Sequence, residues 1–123
     1  MIDAFVEAFR RYRDFSGRSS RRNYWWFMLA NILIIFAFNV VLRMMVAPGP
    51  SSIRIVLTIL LVVYYLALIE PSIALTVRRL HDTGRSGWWI LIELIPLVGV
   101  VWFLVLMCLP SEPAANRFGL KPA

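Results

Sequence analysis

Three long apolar runs set the pattern of this chain. "YWWFMLANILIIFAFNVVL" (24–42) holds no charge and two asparagines, and "IVLTILLVVYYLALI" (55–69) has one threonine and two tyrosines as its only polar groups. "WWILIELIPLVGVVWFLVLMCL" (88–109) contains a single glutamate. A hydrocarbon core about 30 Å thick takes roughly 20 helical residues to cross, and only a segment that satisfies its own backbone hydrogen bonds crosses it cheaply. The first and third runs meet that length directly. The second meets it once Ile53 and Arg54 are added before it and "EPSIALTV" after it, with Pro71 inside. The pattern predicts an all-α integral membrane protein with three transmembrane helices, over 24–45, 53–77 and 88–109, in one membrane domain covering 1–123. Pro96 and Gly99 in "IPLVG" leave a four-helix alternative, with a break at Pro96 to Gly99 that would return the tail to the side of the N-terminus.

Ahead of the first run, Ile2, Phe5, Val6, Phe9 and Tyr12 recur at helical spacing, with Asp3, Glu7, Arg10, Arg11 and Asp14 mostly on the other side. This predicts an amphipathic interfacial helix over 1–16, its arginines toward headgroups; packing on a protein partner is the alternative. Gly17 is a plausible helix stop, and Ser19 or Ser20 a cap for the first span. "APGPSS" (47–52) reads as a tight outer turn, and the proline-rich 110–123 as an extended tail.

Composition adds the solvent. Sixty per cent of the 123 residues are apolar and only 16% charged, where a soluble domain carries roughly 25% charge. A chain this small would leave much of that apolar area facing water, so a small soluble protein is excluded. The net charge is +6, and twelve of the thirteen basic residues are arginine. Nine of them (Arg10, Arg11, Arg13, Arg18, Arg21, Arg22, Arg78, Arg79 and Arg85) fall before the first span or between the second and third, against Arg43, Arg54, Arg117 and Lys121 elsewhere. The excess predicts a cytoplasmic N-terminus and an outside tail in a multi-pass membrane protein. The first 23 residues lack a continuous apolar stretch, so the first span is expected to act as an uncleaved anchor. Cys108 is the only cysteine, and without a Cys/His cluster no metal and no cofactor is expected.

The stretch "VRRLHDTGRSGWW" (77–89) concentrates the polar chemistry. Arg78 and Arg79 end the second span, Gly84 and Gly87 permit a reversal, and Trp88 and Trp89 start the third at headgroup depth. It reads as an interfacial elbow, with Asp82 paired to an arginine and His81 hydrogen-bonded at the surface. Adjacent residues point about 100° apart on a helix, so His81 and Asp82 make no catalytic dyad by themselves, and the chain is expected not to be an enzyme. Guanidinium binds phosphate in a bidentate fork. Arg18, Arg21, Arg22, Arg78, Arg79 and Arg85 are therefore the candidate rim for anionic membrane lipid or a protein partner. No glycine-rich phosphate loop or recognition helix points to nucleic acid. Inside the spans, Asn31, Glu70 and Glu93 fall at a similar depth, roughly 8–12 Å below one face at about 1.5 Å per residue. A buried charge there calls for a partner or a use. The alternative function is an oligomeric transporter or channel subunit lined by these three; the simpler reading is a clamp between helices.

Three blocks, "FSGRSSRRNYWW" (15–26), "PSIALTVRRLHDTGRSGWW" (71–89) and "IPLVG" followed by "NRFG" (116–119), together resemble the bacterial inner-membrane family of domain of unknown function 805, the YhaH and YhaI type. The resemblance runs from about residue 13 to 120. It matches the family pattern at Phe15, Gly17, Arg18, Arg21, Tyr24 and Trp25, at Arg78, Arg79, Leu80, His81, Asp82, Gly87 and Trp88, and at Asn116, Arg117 and Gly119. It implies a multi-helix inner-membrane protein and brings no activity, substrate or cofactor with it.

Overall fold

The computed structural model describes residues 2–46, 51–119 and 121–122, and among these the chain is helical, with one isolated antiparallel bridge between Asn116 and Gly119. Helix α1 spans Ile2–Arg10, with Ala4 and Ala8 buried and Asp3, Glu7 and Arg10 facing outward. Phe5 and Phe9 pack against Phe27 with ring centroids 6.0 and 6.1 Å away, so α1 lies along the first turns of the next helix. The chain then turns, with Gly17 at φ 80°, a backbone region that a side chain would strain.

Helix α2 spans Arg21–Val41. Ser20 is its N-cap, and its hydroxyl accepts the Asn23 N–H at 3.2 Å, occupying a donor that the helix itself leaves free. A π-helical turn, Leu42–Val46, continues it. Helix α3 runs from Ser51 to Asp82; its 32 residues reach roughly 48 Å, more than a hydrocarbon core is thick. Pro71 removes the N–H that would bond the Ala67 carbonyl, yet the helix continues through it with the proline buried. Two stretches, Arg21–Met44 and Ser52–Asp82, are long and apolar enough to cross a membrane. The expected outer turn at 47–52 falls largely on residues 47–50, outside the described residues.

The third apolar run is not the continuous helix expected over 88–109. It forms a 3₁₀ helix, Gly87–Leu94, and then α4, Val98–Cys108. The break lies at Pro96 to Gly99, for a local reason. Pro96 has no N–H with which to extend a helix, and Leu97 turns to φ 60°. Gly99 lets the two arms close: a Cβ there would lie 1.9 Å from the Ile92 carbonyl oxygen. Eight 3₁₀ residues and eleven α residues each rise roughly 16 Å, about half of a hydrocarbon core, so neither arm crosses alone. The tail, expected to be extended and on the opposite side, instead folds back onto the end of α3, where the Glu112 N–H donates to the Asp82 carbonyl at 2.9 Å.

The core gathers Ala8, Tyr24, Phe27, Leu68, Leu75, Leu80, Phe103, Leu106 and Met107. All lie toward the arginine-bearing end. Among the described residues, none of α2 beyond Asn31 and none of α3 before Leu68 is buried. The boundary is marked by the Tyr64 hydroxyl, which donates to Asn31 Oδ1 at 2.6 Å while Asn31 Nδ2 donates to the Phe27 carbonyl.

Candidate functional site: a buried arginine–aspartate knot and its exposed rim

Asp82 is the last residue of α3, and its carboxylate is fully buried. Arg79, one turn earlier, reaches it at 2.9 Å from Nη1, the i,i+3 geometry that places both side chains on one helix face. The second cation comes from the extended segment before α2. That segment is held against α3 by the Ser19 N–H, which donates to the Arg78 carbonyl at 3.0 Å, and Arg18 Nε then donates to Asp82 Oδ1 at 3.1 Å. The loop delivering Arg18 is itself fixed: the Ser16 hydroxyl and the Arg11 guanidinium bond Asp14, whose carboxyl is pushed down to about 2, chiefly by Ser16.

One carboxylate between two buried guanidiniums leaves a surplus of donors, and carbonyls supply the acceptors. Arg18 donates to Ala114 O and Glu112 O at 2.9 Å each, to Asp82 O at 3.2 Å and to Gly119 O at 3.3 Å. Arg79 donates to the carbonyls of Met107 and Leu109, and the Ser111 hydroxyl donates to Asp82. The tail locks over this arrangement. Asn116 Nδ2 donates to the His81 carbonyl at 2.9 Å, and Phe118 stacks on the His81 imidazole with centroids 3.8 Å apart. On its other side His81 Nδ1 meets the Gly17 carbonyl at 2.9 Å. A buried charge cluster of this kind holds segments together, because separating any member strands a charge in the interior.

Around the knot runs an exposed rim. Arg21 and Arg22 are exposed at the start of α2 and, with Trp25, Trp26 and Leu29, line an open cleft of about 350 Å³. Arg21 Nη1 donates to the Cys108 carbonyl at 3.1 Å and Trp25 Nε1 to Met107 O at 3.2 Å, which fixes the cleft wall to α4. Arg85 lies over the Trp89 ring at 5.9 Å, and Trp88 is 77% exposed.

The family described as "Protein of unknown function (DUF805)" matches residues 12–120. This chain belongs to that family. It is 36% identical to inner membrane protein YhaH of Escherichia coli K12 over 98% of this chain and 97% of that one. It is 35% identical to inner membrane protein YhaI of the same organism, over 96% and 93%. A third relative there, uncharacterized protein YiiR, is 32% identical over 75% of this chain and 53% of its own length. No solved structure matches the chain. The DUF805 protein described here is thus a small protein of the bacterial inner membrane.

In this DUF805 chain the six arginines expected on one rim for lipid or a protein partner divide. Arg21 and Arg22 are exposed and Arg85 is half-buried, whereas Arg18, Arg78 and Arg79 are buried and present no surface to a ligand. The correction has a simple cause: Asp82 and the tail carbonyls draw Arg18 and Arg79 inward. Arg78 contributes its backbone to Ser19, but its Nε and Nη1 find no partner among the described residues. His81, expected at the surface, is buried under Phe118. Gly84 takes φ 78° at the reversal, and Gly87 passes so close to Val77 that a Cβ would meet its Cγ1 at 2.9 Å. Asn31, Glu70 and Glu93 do not form one hydrogen-bonded group. Asn31 pairs with Tyr64, Glu70 is 54% exposed and 3.4 Å from Arg13, and Glu93 lies on the exposed side of the 3₁₀ helix. Ser111, Glu112 and Phe118 were not singled out from their residue types; Asn116 and Gly119 were flagged only through the family pattern.

Proposed function

We propose that this inner-membrane protein is a non-enzymatic lipid-binding scaffold whose exposed arginine rim holds an anionic phospholipid. The observation that carries the reading is the cleft under Arg21 and Arg22: two guanidiniums at the mouth, two indoles below them and Leu29 beneath. That order follows a phospholipid from phosphate through the interface to the acyl chain. The knot of Arg18, Asp82 and Arg79 serves as the frame that fixes the cleft wall, through Trp25 and Arg21 on the end of α4. A cytoplasmic placement of this end is part of the proposal. The returning tail adds Arg117 and Lys121 to the nine basic residues already there, leaving Arg43 and Arg54 at the other end, and such an excess is retained in the cytoplasm.

The test uses tryptophan quenching by brominated lipid in reconstituted protein. Brominated phosphatidylglycerol should quench more than brominated phosphatidylcholine, and added salt should shrink the difference. Each basic residue at a membrane surface contributes about 1 kcal/mol, so the Arg21→Gln, Arg22→Gln double variant should bind the anionic lipid about thirtyfold more weakly. Equal quenching by both lipids in the unaltered protein would sink the proposal.

A further inference from the structure

The placement of the short elements divides the molecule unevenly along its long axis. Helix α1 runs along α2 beyond its first turns. Ile2 shares a pocket with Ala30, Leu33 and Ile34, about a dozen residues and so roughly 18 Å along α2 from its arginines. Its outward face at that end carries Ile2, 75% exposed, and Val6, with Asp3 and Glu7 exposed beside them. The hairpin of the 3₁₀ helix and α4 behaves alike. Both arms stop about halfway across a hydrocarbon core, and the tip, Leu94 to Val98, is uncovered, with Leu97 83% exposed.

The arginine-bearing half therefore contains five helical segments: α1, α2, α3, the 3₁₀ helix and α4. The other half contains α2 with its π turn and the first part of α3. A helix about 10 Å across occupies roughly 80 Å² in the membrane plane, so the three extra segments add roughly 240 Å² to one leaflet only. The shape is also held rigid. Arg18 ties the segment between α1 and α2 to the end of α3 and to the tail, and Gly99 lets the hairpin arms touch.

We infer that the chain is a membrane wedge, which inserts in preference where the leaflet on its arginine-bearing side is convex and expanded. A flat bilayer must absorb the mismatch by compressing lipid on one side; a curved one has room there already. The ligand is thus a geometry of the bilayer, a partner independent of the anionic lipid in the Arg21 and Arg22 cleft.

The experiment reconstitutes the full chain into vesicles of one lipid composition, separates them by diameter, and measures protein per lipid in each fraction, with protease access to the arginine-bearing end reporting orientation. The expected result is about threefold more protein per lipid in the smallest vesicles, with that end outward, since inserted amphipathic segments respond to curvature. Ile2→Ser with Val6→Ser lifts α1 from the hydrocarbon without touching a buried side chain, and the preference should fall toward equality. Repeating the series in wholly zwitterionic lipid should leave the preference in place, which separates it from headgroup binding. A density independent of diameter, or a preference unaltered in the Ile2→Ser, Val6→Ser protein, overturns the wedge.

Discussion

The two ends of α3 are built on opposite principles. Near Asp82, Arg18, Arg79 and the carboxylate are buried, hydrogen-bonded to one another and to carbonyls, and tied to segments far away in sequence. From Ser52 to Ala67 no described residue is buried, and most of the surface is Ile, Leu and Val. A hydrocarbon surrounding supplies no hydrophobic force between apolar helices, so the second end has little reason to pack. The first end is held by what oil cannot dissolve. Uniqueness in this molecule comes from its polar minority.

Substitutions graded along α3 and its neighbours sharpen that contrast. Asp82→Asn removes the carboxylate shared by Arg18 and Arg79 and strands both in the interior. The loss should be about 3–5 kcal/mol, the usual cost of breaking a buried pair, read as a lowered unfolding midpoint in mixed micelles. At the boundary, Asn31→Leu deletes the acceptor of the Tyr64 hydroxyl. Hydrogen bonds between membrane helices average about 0.6 kcal/mol, and the same titration should show a loss of that order. In the open half, Ile59→Ala leaves no cavity because Ile59 is exposed, and its effect should stay within about 0.5 kcal/mol. If Ile59→Ala cost as much as Asp82→Asn, the division into a tied end and a free end would be wrong.

Much of this was legible in residue order, and the part that was not has a physical cause. The runs at 24–42 and 55–69 announce α2 and α3 because uncharged apolar stretches of 19 and 15 residues permit little else. The third run misled on length, since an apolar stretch of 22 residues is equally a span or a hairpin of two half-length arms. Pro96 and Gly99 were the only marks of the break, and they supported it as an alternative. The knot was hidden more thoroughly. Arg18 and Asp82 are 64 positions apart, and Arg18 and Ala114 are 96 apart. Arginines beside a membrane look alike whether they face water or fold inward, because the topological rule counts them without regard to burial. Asp82 was recognisable as a partner for some arginine, and its second partner came only with the fold. Ser111 and Phe118 had no signal of their own, since a lone hydroxyl and a lone ring in a proline-rich tail resemble any other linker.

The return of the tail sets an order of events during synthesis. Arg18 emerges from the ribosome early, and most of the carbonyls that receive its N–H groups belong to Glu112, Ala114 and Gly119. Until those residues appear, the guanidinium lacks three of the four carbonyls that receive its N–H groups, although α2 and α3 have already been made. The clasp therefore closes only after residue 119 has been made, and the nascent chain passes through a stage in which its lock stands open.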